Sequence, residues 1–586
     1  MGNVFSLKKL QNKPSRNGFD LSRKNLYTAK VGELLPVCTI ECLPGDKFNI
    51  NTQHFTRTRP VNTAAYTRIR EYYDWFFVPT NLLWNKFNSF VTSMTDNGQH
   101  ARDLQMNYPL IDRHPYFTTN AVQEYLRRMA TSNAKNIFNF SRASLSAKLL
   151  EYLDYGQFEY GTIDSVTHLT NAVLNPFPLL AYQKIYSDYY RDSQWEKAYA
   201  PAFNIDYMRG DDTGTGGITI PVGDLTYNAR GYENMFDLRY CNWNKDYFMG
   251  LKPNTQYGSA ATILTGTGQD KNFIPLIHED GTPIVQGATL TVTDYIENNY
   301  RYLSDGNNRF LKTTSGNFTI LALRLAEAKQ KWAEITQSQQ QDYKSQLEAH
   351  FNVNVSDAYS ERCHYIDGHV NNLDISEVLN TNITDTNEAT IAGKGVGTGD
   401  GNMSFSTDVH GYLMCIYHAV PLLDYATSGI ARHNLKNYVT DYAIPEFDRT
   451  GMVSIPRTEL INAVPTSGVT PELRTPEILG YAPRYYDYKA AYDRTHGGFN
   501  LVSDGFSDWV APLTTTSFLM YLRSVGERND VYNQSLNFQF FKVNPHVLDV
   551  IFDVNADDHF RTDQLLINCS FDIKAVRNLD YDGLPY

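Results

Sequence analysis

The sequence predicts a mainly β chain, an antiparallel sandwich carrying large α-helical and loop insertions. Strand-like runs rich in β-branched and aromatic residues lie toward both ends. The clearest is Ile567, Cys569, Phe571, Ile573 and Ala575, alternating with Asn568, Ser570, Asp572 and Lys574. That period of two puts apolar side chains on one sheet face and polar ones on the other. Between the ends, helical periodicity and glycine-rich breaks take over. Pairing early strands with late ones leaves the middle of the chain as insertions.

In chain order, residues 1–30 read as a polar, basic arm with Pro14, Gly18 and no periodicity, and residues 31–586 as one domain. Leu34–Glu41 is β-rich and stops at the turn Leu43-Pro44-Gly45-Asp46. Lys47–Arg59 continues as an extended polar segment. Tyr66–Val78 ends in the nearly continuous apolar run Trp75-Phe76-Phe77-Val78, the pattern of a strand covered on both faces. Leu83, Phe87, Phe90, Val91 and Met94 keep helical spacing, and Val122–Met129 and Ala143–Leu153 read as short helices. Leu180–Trp195 gathers Tyr182, Ile185, Tyr186 and Tyr189 on one side of another. Leu321, Leu325, Ala328, Trp332 and Ile335 recur at 4-3-4-3, an amphipathic helix. Glycine-rich stretches at 211–217, 258–281 and 391–402 read as flexible loops. Asn537–Val543 is a further candidate strand.

Composition narrows the class of function. The 586 residues are 42% hydrophobic and 20% charged, enough to bury a core. The 41 Tyr and 31 Phe suit large half-wet contact surfaces, where a ring packs while a hydroxyl stays bonded; carbohydrate-binding proteins share that surplus. A net charge of −12 argues against coating nucleic acid by bulk charge. The first 30 residues run the other way: Lys8, Lys9, Lys13, Arg16, Arg23, Lys24 and Lys30 face one acid, Asp20. Six scattered cysteines without a C-x-x-C pair read as buried thiols in a reducing compartment. No signal peptide and no apolar run of membrane-spanning length is read, so membrane insertion is not expected.

Motifs for chemistry are sought and not found. Gly393-Lys394-Gly395 lacks the Ser or Thr and the spaced glycine of a phosphate loop. His364 and His369 lie five apart with no Glu to supply a base, and read as loop histidines. Asp557-Asp558-His559 reads as a solvated turn, and no G-x-S-x-G elbow occurs. Met1-Gly2-Asn3-Val4-Phe5-Ser6 fits the loose myristoylation pattern, a modification not expected of bacteria. No catalytic residue, metal ligand or cofactor is assigned.

Several segments, in order, resemble the major capsid proteins of the Microviridae, especially the gokushovirus-like and Bacteroidetes-associated branches. They are Phe19–Ser22 with Gly32–Pro36 and Glu41–Asp46, Tyr72–Pro79 with Leu83-Trp84, and the helix-like Asn175–Asp192. Lys245–Phe248, Pro445–Phe447, Leu479–Tyr485 with Tyr488-Lys489, and Arg577–Pro585 follow. Residues 201–235, 259–290 and 315–402 match no family pattern and are expected to be insertions. The resemblance implies an eight-stranded viral jelly roll that assembles as many copies into a T=1 icosahedral shell around circular single-stranded DNA. It also implies a threefold protrusion from one insertion, with 201–235 the first choice and the other two as rivals. The expected setting is the virion, assembled in the bacterial cytoplasm, with pilot, DNA-packaging and scaffolding proteins and a host-cell receptor as partners.

Within that picture Lys8, Lys9, Lys13, Arg16, Arg23 and Lys24 are the candidate DNA-binding residues, facing the interior and neutralising phosphates. A solvated tail is the alternative for the same residues. For the whole chain, the competing reading is an exported β-rich protein that binds or cleaves glycans, which the missing signal peptide disfavours. A non-viral cytoplasmic assembly is a third.

Overall fold

The computed structural model describes residues 15–61, 68–92, 114–160, 171–208, 234–258, 320–356, 360–379, 391–422, 429–462, 478–500, 538–549 and 563–581, with short pieces at 274–275, 302–304, 309–312, 425–426, 510–512, 536 and 551–552. Its frame is one curled, antiparallel sheet of nine strands. In chain order these are β1 (Asn17–Asp20), β2 (Arg23–Ala29), β3 (Leu35–Cys42), β4 (Lys47–Thr58), β5 (Ile69–Pro79), β6 (His364–Leu379), β7 (Ile391–Ser406), β8 (Gly411–Pro421) and, after a separate hairpin β9 (Met452–Pro456) and β10 (Ile478–Pro483), β11 (Leu565–Arg577). The sheet order is β1-β11-β4-β7-β6-β5-β8-β3, with β2 also paired to β11. Early strands thus pair with late ones: Lys47–Thr58 runs along Leu565–Val576, and Ile69–Pro79 along Gly411–Pro421.

Residue pattern explains each strand. In β11 the inward Ile567, Cys569, Phe571, Ile573 and Ala575 are buried, while Asn568, Asp572 and Lys574 are exposed. In β5 and β8 the apolar runs are nearly continuous because both faces are covered. Trp75, Phe76, Phe77, Leu413, Met414 and Tyr417 lie in the main core with residues of three helices, α1 (Thr119–Thr131), α2 (Arg142–Tyr152) and α3 (Phe177–Ile185). Helix α1 starts where the Thr118 hydroxyl accepts from the Ala121 N–H at 3.3 Å, and it buries Val122, Tyr125, Leu126 and Met129, a single helical face. A second core joins Tyr247, Phe248, Leu251, Phe540 and Phe541 to Ile455, Leu479 and Ala482 of the β9–β10 hairpin.

The structure departs from the sequence-based expectations at several places. The supposed arm, residues 1–30, is strand from Asn17 to Asp20 and from Arg23 to Ala29. Part of the stretch 315–402, expected as an insertion, supplies β6 and β7 in the middle of the sheet. The glycine-rich segment read as flexible is itself β7, paired with β4 from Val396 to Ser406. Glycine reads as a loop signal, yet here it is needed for close packing: a Cβ on Gly399 would stand 2.5 Å from the His54 ring, and one on Gly395 2.5 Å from Thr58. Asn537–Val543, a candidate strand, contains the 3-10 turn Phe538–Phe541, whose four residues are all buried.

The chain divides into two compact units, one of residues 1–253, 342–344 and 355–586, the other of residues 254–341 and 345–354. The second unit carries α4 (Ile320–Ser338) and most of α5 (Tyr343–Phe351). In it the Gln337 amide donates to the Asn254 carbonyl at 2.6 Å, and Trp332 stacks on His350. The face of α4 expected to be buried is turned out: Leu321 is 75% and Leu325 69% exposed, while Ala333 and Gln337 are buried. Residues 209–233 and 259–273, within two of the expected insertions, lie outside the described residues.

Candidate functional site

The basic amino-terminal edge is the candidate that the sequence singles out. Lys8, Lys9 and Lys13 lie outside the described residues. Arg16, Arg23 and Lys24 are described, and all three are exposed. Two of them are engaged by the fold. The Arg16 guanidinium donates to the Gly45 carbonyl at 2.6 Å. That of Arg23 donates to the Thr39 carbonyl at 2.9 Å and to the Cys38 sulfur at 3.2 Å. Lys24 sits on β2 opposite Ser570 of β11. Carboxylates interleave with the cations here: Lys574 lies between Asp20 and Asp572, the latter at 3.2 Å, and Arg577 is 3.3 Å from Asp46. Hydrogen bonds from Lys574 and Ser22 hold the Asp20 carboxyl well below the usual carboxylate range. The described part of the edge is therefore a mixed-charge surface.

Lys30, the last cation of the segment, is fully buried. Its ammonium lies 3.0 Å from Asp549, which also accepts from Gln564 at 2.8 Å and sits 2.7 Å from His546. Beside it stands a second buried centre. Lys148 on α2 lies 2.8 Å from Glu33 and 3.0 Å from Asp563, with all three side chains at most 1% exposed. Burial alone would pull the Lys148 ammonium down; the Asp563 and Glu33 charges hold it well above its ordinary value. Thr28 donates to the same Asp563. This cation joins the turn before β3, a helix and the residues leading into β11 across sequence separations of 115 and 415 residues.

The segment Asn175–Asp192 turns out to be a structural hub. Tyr182 donates to the Leu34 carbonyl at 2.9 Å and accepts from the Arg239 N–H at 2.9 Å. Gln183 donates to the carbonyls of Met235 and Asp237, each at 2.9 Å. Beyond α3 the chain makes a π turn, Tyr186–Tyr190, which aims successive tyrosines at different partners. Tyr186 donates to Glu196 at 2.7 Å, Tyr189 to the Cys363 carbonyl at 2.9 Å, and Tyr190 to Asp74 of β5 at 2.9 Å. Burial pushes the Asp74 carboxyl up to about 6, against the Tyr190 hydrogen bond. The motif thus pins β5 and the residues leading into β3 and β6 to one helical segment.

A surface of exposed rings lies in residues 432–488. Tyr438 is 71%, Tyr442 57% and Tyr488 57% exposed. The Lys436 ammonium lies 3.9 Å from the centre of the Tyr488 ring and 5.8 Å from that of Tyr442. Large exposed rings of this kind suit the buried centre of a protein contact.

The remaining sequence candidates take structural places. Gly393-Lys394-Gly395 pairs with Ile375, Ser376 and Glu377 of β6, a strand ladder in place of a phosphate loop. His364 and His369 are strand residues of β6, with a register shift between Tyr365 and Asp367. Asp557-Asp558-His559 lies outside the described residues. Among the described residues no group of three or more His, Cys, Asp or Glu could hold a metal ion, and no helix is long and apolar enough to cross a membrane. All six cysteines are free and buried.

Comparison with known proteins fits this frame. The capsid protein (F protein) family matches residues 9–136 and 155–580, a span that holds every strand of the main sheet. Capsid protein VP1 of Bdellovibrio phage phiMH2K is 24% identical over 514 residues, covering 83% of this chain and 82% of that protein. Capsid protein VP1 of Chlamydia phage 1 is 22% identical over 554 residues, covering 84% of this chain and 86% of that protein. With its nine-stranded frame inside the matched span, this chain belongs to the capsid protein (F protein) family.

Proposed function

We infer that this chain is the structural major capsid protein of a small bacterial virus with a single-stranded DNA genome, and that copies of it close a T=1 icosahedral shell. The observation that carries this reading is the family match along the whole β frame, the part that keeps a subunit's shape fixed. Closure of a shell needs repeated contacts at constant angles, which a rigid sheet with surface rings such as Tyr438, Tyr442 and Tyr488 can supply. Each contact can be modest, because many act together on every copy. The role is structural and calls for no catalysis.

The basic amino-terminal segment contributes the DNA contact. Arg16 and Arg23 are tied to backbone carbonyls, which leaves Lys24 and the cations Lys8, Lys9 and Lys13 to meet phosphate. Assembly proceeds in the host cytoplasm with scaffolding and DNA-packaging proteins, and the outer loops meet a receptor. Size-exclusion chromatography of the full chain produced with its accessory virion proteins tests the shell. Megadalton particles are expected; a species that stays at the mass of one chain under those conditions overturns the reading.

A further inference from the structure

Within the sheet, β4, β5 and β6 bring three rings into mutual contact. His54 of β4 stacks on Tyr73 of β5 with centroids 4.4 Å apart, and on His369 of β6 at 5.4 Å. Tyr73 and His369 stack at 4.8 Å with planes 3° apart. The Glu71 carboxylate lies 3.9 Å from the His54 ring, and both side chains are 0% exposed. Tyr417 donates to Glu71 at 2.8 Å, and Tyr27 donates to Tyr73 at 3.1 Å. Neither ring nitrogen of His54 has a hydrogen-bond partner, nor has Nε2 of His369. Buried polar atoms left in this way are uncommon in folded proteins and call for a reason.

The backbone ladder stops where these rings sit. Residues 364–373 of β6 bond to β5, and the described ladder to β7 covers only Asp374–Leu379. Continuing that register would set His369 opposite Gly401 and Asn371 opposite Gly399. A Cβ on Gly399 or Gly401 would run into the ring of His54 or His369. Stacked rings, in place of backbone hydrogen bonds, thus close the seam between β6 and β7. We propose that this seam is an acid-operated latch, in which protonation of the His54–His369 pair parts β6 from β7.

The groups facing the pair come from every strand around it. Glu71 and Tyr73 of β5, Asp367 of β6 and Asp400 of β7 face the rings themselves, and Tyr417 and Cys415 of β8, Tyr27 of β2 and Cys569 of β11 lie behind them against Tyr73 and Glu71. Burial, with the His369 ring added, pushes His54 down from 6.5 to about 4. Burial pushes His369 down as well, against the charges of Asp400 and Asp367. A depressed histidine stabilises the fold fully above its unfolded value of 6.5, and this contribution is lost as pH falls toward 4. Glu71 has the opposite sign: burial raises it, so its protonation on acidification offsets part of the loss. The two rings thus favour opening in acid and Glu71 opposes it. Protonated together, the two rings set like charges on ring centres 5.4 Å apart.

This inference stands on the fold and does not depend on the shell reading. Hydrogen–deuterium exchange of the full chain, corrected for intrinsic rates and followed from about pH 7.5 to about pH 4.5, tests it. Exchange in 364–379 and 391–406 is expected to rise by up to about tenfold per pH unit below the unfolded histidine value, while 411–421 stays protected. The combined His54→Gln and His369→Gln substitutions are expected to remove that rise, and His418→Gln, on β8 at the far side of β5, to leave it. A flat profile across both segments in the natural protein overturns the latch, and so does an unchanged acid response in the doubly substituted chain. If the double variant does not fold, the profile of the natural protein decides alone.

Discussion

Lys148 shows how much one side chain can carry when water is kept from it. Its ammonium meets Glu33 and Asp563 in a site with at most 1% exposure, so removing it strands two buried carboxylates. Lys148→Met is expected to lower stability by about 3–5 kcal/mol, read as a lower midpoint in denaturant unfolding. Lys574, 57% exposed beside Asp20, offers the contrast, and its replacement by Met is expected to move the same midpoint little. A midpoint for Lys148→Met within error of the natural protein would contradict the assigned role. Neither partner of Lys148 was legible in the sequence. Glu33 and Asp563 stand 115 and 415 residues away, and no local pattern marks a charge for burial. Tyr182 and Tyr190 were legible only as members of a helical face; their hydroxyl partners, Leu34 and Asp74, follow from the tertiary fold.

At the scale of elements, β11 and β7 mark the two extremes of legibility. In β11 the alternation of side chains is complete, so period two declares the strand and its buried face together. In β7 the inward positions 395, 397, 399 and 401 are glycine, which has no side chain to show a pattern. Their reason lies on other strands, in Thr58, Glu71, His54 and His369. Gly399→Ala, which puts a Cβ 2.5 Å from the His54 ring, is expected to cost about 1–3 kcal/mol in thermal unfolding. Adding His54→Ala is expected to recover part of that loss, a coupling measurable in a double-mutant cycle. Strictly additive effects would show that the two residues do not share the space. The edge strand β2 was hidden for a different reason: it buries only Tyr27 and Ala29, and its exposed cations resemble a loose arm.

For the whole molecule, the pairing of the chain's two ends was legible, because strand signals cluster there and must find partners. The middle was not, since β6 and β7 carry polar and glycine-rich sequences whose fit depends on neighbours far away in the chain. The net charge of −12 and the basic first 30 residues make the amino-terminal segment the natural place for DNA contact. Replacing Lys8, Lys9 and Lys13 together by Ala is expected to leave particle formation intact while lowering the packaged DNA per particle and weakening its salt dependence. Equal DNA content in natural and substituted particles would move the contact elsewhere. The central claim, that copies of this chain form the container of a virus, is tested most directly by electron cryo-microscopy of native virions. The account predicts an icosahedral T=1 shell whose repeating unit follows the strand order β1-β11-β4-β7-β6-β5-β8-β3. A shell traced by some other polypeptide, with this chain absent from its repeating unit, would contradict it.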